Sequence, residues 1–213
     1  MPQLLMGAGI AAVAVTLALL LGLIADRWPF AIDRWIMLAV RGEVGGVGWV
    51  RNAAVNLTAL GSVTVLTVVT IAVVGLLLVQ RLWLTALATG AACWSGGWAV
   101  TLVKNEVSRP RPTLVPHWVD VHNASFPSGH AAGSALVYLT IAALATQVLR
   151  DEAARRYVLA LAIVLVGAIG ISRVVLGVHW PSDVLAGWCF GTLWALAWWK
   201  ATAAARRSIG GER

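Results

Sequence analysis

The sequence predicts an all-α integral membrane bundle of six transmembrane helices, with a short interfacial helix between the first two. Three observations carry this. Hydrophobic residues make up 60% of the 213-residue chain and charged residues only 12%, about half the charged share of a soluble domain. Mean hydropathy is +0.83. Long apolar runs recur along the chain, and about 20 helical residues suffice to cross the hydrocarbon core. No repeat, low-complexity stretch or linker marks a second unit, so residues 1–213 read as a single membrane domain.

The spans fall at about 4–24, 57–79, 82–103, 130–149, 157–176 and 183–199. The first lacks a basic leading region and runs longer than the apolar stretch of a signal peptide, so it reads as an uncleaved helix. Residues 25–56 form a longer connection. Within it Phe30, Ile32, Trp35, Ile36 and Val40 recur at helical spacing, while Asp33, Arg34 and Arg41 supply a polar side. This predicts a helix lying in the membrane interface. Gly42, Gly45, Gly46 and Gly48 then break it. The helix serves either as a plain connector or as a lateral entry for lipid. The last span is short, which sets its ends in the headgroup layer.

Six spans put both termini on one side. Basic residues divide equally between the two sides until Lys104, Arg111 and Arg173 are set aside as members of polar clusters. The excess then lies with Arg81, Arg150, Arg155, Arg156, Lys200, Arg206, Arg207 and Arg213. That places both termini in the cytoplasm and the polar clusters outside. Topology and anionic headgroups account for the net charge of +7 without nucleic acid. Trp28, Trp35, Trp83, Trp118, Trp180, Trp198 and Trp199 fall near span ends or in interfacial segments, where amphipathic rings anchor. Cys93 and Cys189 lie in apolar runs and read as buried thiols rather than a disulfide.

Three polar clusters interrupt this apolar chain: Lys104 to Pro112, Ser125 to His130, and Ser172-Arg173 with His179 to Asp183. Ionisable groups in a membrane chain are costly and point to function. All three fall on one face of the topology. Lys104, Arg111 and Arg173 together suit a tetrahedral oxyanion, arginine as a fork and lysine as a point charge. Pro110 and Pro112 keep the preceding residues extended, so Arg109 and Arg111 project to one side. Arg109 either adds to this field or meets headgroups, and Glu106 balances one of the cations. Ser128 reads as the N-cap of a helix whose free N–H groups bind an anion. Gly129 admits a phosphate close to the backbone, and His130 beside it can act as general acid. His179 and Asp183, four apart at a helix start, read as a nucleophile and the carboxylate that fixes its tautomer. His117, Asp120 and His122 offer metal ligands, but no fourth lies at a convincing spacing, so no metal is assigned.

These clusters resemble the three signature motifs of the type 2 phosphatidic acid phosphatase (PAP2) superfamily. That pattern is Lys, six residues, Arg-Pro; then Pro-Ser-Gly-His; then Ser-Arg, five residues, His, three residues, Asp. Lys104 to Arg111-Pro112 has the six-residue gap, which Arg109-Pro110 does not. Pro127 to His130 and Ser172-Arg173, His179 and Asp183 complete the match, over about residues 55–200. The resemblance implies a metal-independent lipid phosphatase without cofactor. His179 would be nucleophile, Asp183 its partner and His130 the acid. Lys104, Arg111, Ser128, Gly129 and Arg173 would hold phosphate. Undecaprenyl diphosphate is the first candidate substrate, with phosphatidic acid and phosphatidylglycerol phosphate close behind. Residues 113–124 and the first 55 are where substrate choice would lie.

Other classes stay open. A phosphotransferase would use the same nucleophile with another acceptor. A vanadium haloperoxidase of the same superfamily would be soluble, against six spans. An anion transporter would explain cations at a membrane surface but not the His179–Asp183 pair. Nothing in the sequence fixes the oligomeric state.

Overall fold

The computed structural model describes residues 2–24 and 29–208. Trp28 and Arg213, used above for anchoring and orientation, lie outside the described residues. Among the described residues all regular structure is helical: α1 (Pro2–Ile24), α2 (Ala31–Val44), α3 (Gly48–Ala59), α4 (Val63–Val79), α5 (Trp83–Val107), α6 (Gly129–Ser134), α7 (Thr140–Val148), α8 (Glu152–Val175) and α9 (Pro181–Ser208). A π-helical turn, Ala135–Leu139, joins α6 to α7, so that 129–148 is one continuous rod.

Three of these helices are long and apolar enough to cross a membrane: Trp83–Val107, Gly129–Val148 and Glu152–Val175. α3 and α4 pass as a fourth only when taken together, and they are bent by 45° where they meet. The expected span 57–79 is therefore interrupted. Ser62 stops the chain there and caps α4, its Oγ accepting from Val65 N at 3.3 Å. The helices also outrun their expected ends. α8 begins at Glu152 because Asp151 caps it, accepting from Ala154 N at 2.6 Å. α9 continues to Ser208 and carries Arg206 and Arg207 in its last turn, where cations suit the helix dipole.

α9 is the central helix, packed against α1, α5, α6, α7 and α8. Its approach to the 129–148 rod is backbone to backbone, at Gly187 against α6 and at Gly191 against the π-helical turn. A Cβ at Gly187 would lie 2.8 Å from Ala132 N and 3.0 Å from Ser128 O. This small-residue pair acts within the chain. It sets the start of α9, with Asp183, beside the start of α6, with Ser128 and His130.

α2 forms where the sequence places a helix, but its polar side divides. Asp33, expected on that side with Arg34 and Arg41, is fully buried with Met37, while Arg34 is exposed. Ile32, Trp35 and Leu38 are exposed. The helix ends at Gly45, so Gly42 sits inside it. Cys93 and Cys189 are free thiols.

Candidate active site

The three polar clusters converge on one cavity of about 1110 Å³. Lys104, Arg111, Gly129, His130, Arg173 and His179 line it. Ser128 and Asp183 do not reach the lining; both are fully buried one layer behind it. From this polar end the cavity follows α4 and α5 past Thr101, Gly97 and Cys93 to Gly90. A second cavity, about 440 Å³ between α1, α5 and α9, has no titratable side chain in its lining.

His179 reaches the cavity through a short turn. α8 ends at Val175, and Gly177 takes a positive φ of 77°, which glycine adopts without penalty. A Cβ there would meet Arg41 Nη2 at 2.7 Å and Val115 Cγ2 at 2.9 Å. The turn leaves His179 Nδ1 3.4 Å from Asp183 Oδ2 and its Nε2 3.2 Å from Arg111 Nη1. The nitrogen facing the cavity is therefore Nε2.

Asp183 is held on both oxygens. Oδ2 accepts from Trp180 N at 2.9 Å and from Ser125 Oγ. Oδ1 accepts from Arg109 Nη1. The backbone adds a tie between the second and third clusters, Ser128 N donating to Asp183 O at 3.0 Å. Ser128 Oγ is the expected N-cap of α6, accepting from Ala131 N.

Three expectations change here. Arg109 does not meet headgroups: it is buried and paired with Asp183 and with Asp33, the latter at 3.0 Å. Glu106 is exposed and takes no part in the ion pairs found among the described residues, so the counter-charges come from Asp33 and Asp183. Trp180, expected as an interfacial anchor, is buried against Met37 and Val115, and its Nε1 donates to Pro110 O at 3.2 Å. A buried guanidinium demands paired carboxylates, and that demand outweighs any surface role for the cluster around it.

Residues 113–124, opaque in sequence, close the polar end. Arg41 pins this segment, donating to Pro116 O at 2.8 Å and lying 3.8 Å over the Trp118 ring. Its end holds two of the cations. Lys104 Nζ donates to Ala124 O at 2.6 Å. Arg111 donates from Nε to Asn123 O at 2.8 Å and from Nη2 to Asn123 Oδ1 at 2.7 Å. Arg173 is tied through Nη1 to Thr58 Oγ1 at 2.8 Å, and its buried Nε has no hydrogen-bond partner among the described residues. Asn123 and Thr58 carry no motif signal; only the fold brings them to the arginines.

Replacing Asn123 by alanine leaves Arg111 charged but frees one arm of its fork. The expected result is a rise in KM of about 3- to 10-fold with a smaller change in kcat, the size of one charged hydrogen bond at a partly exposed site. Steady-state kinetics of phosphate release from a lipid phosphate would check it.

Burial holds the His179 imidazole well below its ordinary value, at about 4, with Asp183 opposing only in part. The imidazole is thus neutral at pH 7 and available as a nucleophile. Because the folded pKa lies below the unfolded one, the associated stability is complete above about pH 6.5 and is lost as pH falls toward 4. Thermal denaturation in detergent is expected to show a falling Tm over that interval, and His179→Asn should flatten the fall. A Tm slope identical in both proteins would contradict this.

Comparison with known proteins accords with the geometry. A family model described as the PAP2 superfamily matches residues 81–207, which contain all three motifs. Phosphatidylglycerophosphatase B of Bacillus subtilis (strain 168) is 39% identical over 93 residues, 43% of this chain and 45% of that protein. Decaprenylphosphoryl-5-phosphoribose phosphatase of Mycobacterium tuberculosis is 34% identical over 115 residues, 53% of this chain and 56% of that protein. The matched stretch thus spans about half the length of these curated relatives. A transmembrane PAP2 type phosphatidylglycerolphosphate phosphatase from Bacillus subtilis has the same fold at a TM-score of 0.77, with 25% identity over 93% of this chain and 96% of its own. LpxE from Aquifex aeolicus shares the fold alone, with a TM-score of 0.64 and 22% identity over 81% of this chain and 97% of its own. Membrane-protein relatives and several apolar helices point to a membrane location. With all three motifs around one cavity and the family model covering more than half its length, the chain belongs to the PAP2 superfamily.

Proposed function

We propose that this chain is an integral-membrane lipid phosphatase working through a phosphohistidine intermediate. One observation carries the reading: His179, oriented by a buried carboxylate, presents Nε2 to a cavity that also receives Lys104, Arg111, Arg173 and His130.

In the proposed reaction Nε2 of His179 attacks phosphorus while the bond to the lipid oxygen breaks. His130 donates a proton to that departing oxygen. Asp183 stabilises the positive charge that grows on the imidazole. Lys104, Arg111, Arg173 and the backbone N–H groups of Gly129 and His130 balance charge on the three transferring oxygens, while Ser128, expected among the phosphate ligands, instead lies behind the lining as the cap that holds the start of α6. The unpartnered Nε of Arg173 suits one of these oxygens. Water then attacks phosphorus, His130 takes its proton, the P–N bond breaks, and inorganic phosphate leaves. The three cations supply the charge that a metal would otherwise bring, so we expect the reaction to proceed in EDTA.

A lipid substrate is supported by the apolar extent of the cavity. From Lys104 to Gly90 it follows α5 for about 21 Å at ~1.5 Å per residue, room for a long hydrocarbon chain. The names of the curated relatives describe a phosphate on glycerol and a 5-phosphate on ribose, each joined to a lipid. We therefore favour a lipid-linked phosphomonoester, phosphatidylglycerol phosphate first. Phosphatidic acid and undecaprenyl diphosphate, the latter put first by the family resemblance alone, remain in the same panel. A phosphotransferase would differ only in the acceptor.

We further propose one membrane domain of six spans: α1, the bent α3–α4 pair, α5, the 129–148 rod, α8 and α9, with α2 in the interface. Exposed Ile32 and Trp35 on α2 support that placement. The burial of Arg109 supports the orientation, because it removes one more cation from the outer count. Both termini would be cytoplasmic and the site would face outward.

The test is phosphate release by the purified protein in detergent with EDTA, across phosphatidylglycerol phosphate, phosphatidic acid and undecaprenyl diphosphate. Release from one of these supports the reading, and the fastest names the substrate. No release from any, with or without an added alcohol acceptor, would overturn it.

A further inference from the structure

Behind the His179–Asp183 pair lies a buried charge cluster that no motif contains. Asp33 on α2 is fully buried, and both of its oxygens are engaged. Oδ1 accepts from Ser182 N at 2.8 Å; Oδ2 accepts from Ser182 Oγ at 2.6 Å and from Arg109 Nη2 at 3.0 Å. The other arm of the guanidinium, Nη1, donates to Ser182 Oγ at 2.9 Å and to Asp183 Oδ1. Arg109 is thus shared between two carboxylates, and Asp183 in turn faces His179 Nδ1.

Sharing has an electrostatic consequence. Arg109 alone would neutralise Asp183. With Asp33 present the cluster keeps a net negative charge, placed behind the imidazole that must become positive as phosphorus is attacked. In a buried site such a charge is weakly screened. The three side chains also lock one another geometrically, so Asp183 cannot rotate its carboxylate away from Nδ1. Asp33 lies outside the residues matched by the family model, which begin at 81, and reaches the site only because α2 packs against α8 and α9.

We propose that Asp33 is a positioning residue: through Arg109 and Ser182 it fixes the Asp183 carboxylate and keeps the charge behind His179 negative. The proposal rests on His179 being the nucleophile. It makes α2, whose opposite face carries Trp35 and Ile32, a structural part of the site.

The experiment compares wild type, Asp33→Asn, Asp183→Asn, the double variant and His179→Ala in phosphate release from phosphatidylglycerol phosphate, under steady-state and single-turnover conditions. Asp33→Asn is expected to lower kcat by about 10- to 100-fold, typical of residues that orient a functional group from behind, with KM within about 2-fold. In the Asp183→Asn background the same substitution should cost little more, because the two act on one path. Losses that multiply in the double variant, or an unchanged kcat in Asp33→Asn, would overturn the proposal. If Asp33→Asn does not fold, Ser182→Ala takes its place: it removes the bridging hydroxyl and leaves both charges. A loss in kcat alone there supports the proposal, and an unchanged kcat overturns it. An active His179→Ala would instead sink the underlying mechanism, so the two failures are distinct.

Discussion

Replacing His179 by alanine is expected to reduce phosphate release by at least about 10³-fold in kcat while substrate still binds. The expectation follows from what the substitution removes and what it leaves. Nε2 is the group proposed to form the covalent bond, and His130, the other motif histidine in the lining, has no carboxylate partner like Asp183 among the ion pairs of the described residues. Loss of such a nucleophile leaves only the residual effect of positioning and charge. The cations stay. Lys104 and Arg173 keep their ties to Ala124 O and Thr58, and Arg111 keeps Asn123 and Val178 O at 2.6 Å. Binding of a lipid phosphate, measured by competition against wild-type turnover or directly in detergent, should change by less than about 3-fold. Retention of a tenth or more of wild-type activity would remove His179 from the mechanism. Loss of binding together with activity would move it into the phosphate cradle.

The second large effect concerns folding. Gly191→Ala adds one methyl group at the crossing of α9 with the rod that begins at α6. An alanine in a helix interior usually stabilises relative to glycine, by about 1 kcal/mol. Here the sign reverses. The new Cβ would lie 2.5 Å from Ala135 Cβ, 2.6 Å from Leu136 N and 2.9 Å from Ala135 C. Backbone atoms cannot rotate aside, so the helices must separate. Overpacking of this kind costs about 1–3 kcal/mol or more. Separation at Gly191 also levers apart Asp183 and Ser128, whose backbones are hydrogen-bonded one helical stretch above. A markedly lower Tm in detergent and reduced activity in the surviving fraction are therefore expected. Gly167→Ala on α8, where a Cβ meets nothing within 4 Å, serves as control and should be neutral or stabilising. Equal behaviour of the two variants would mean that the close approach of α9 is not needed for stability.

Much of the site is legible in sequence because its chemistry constrains residue type and local spacing together. Lys104 and Arg111 share one segment; Ser128, Gly129 and His130 are consecutive; His179 and Asp183 are a helical turn apart. Each group leaves a pattern within ten residues. The burial of a helix N-terminus beside the proposed phosphate site leaves one too, through Ser128 as cap.

The rest left no such pattern. Asp33 meets Ser182 across 149 residues and Arg109 meets Asp183 across 74. Asn123 looked like part of an unassigned loop, and Thr58 like part of a membrane span. One signal was present: Arg109 was a cation without a motif role in a chain poor in charge, and α2 carried Asp33 as an acid in its first turn. A buried guanidinium must find a carboxylate, which could have paired the two.

By itself, then, the sequence determined the helical class, the three motifs and their gathering at one site, because hydropathy and motif spacing are local properties. Only the tertiary structure decided which face of α2 turns inward, that Gly187 and Gly191 join helices within one chain, and that Arg109 stands between two carboxylates. The physical reason is that low-dielectric burial makes unpaired charge costly and close packing excludes backbone overlap. Those penalties act through space, between residues whose separation along the chain carries no information.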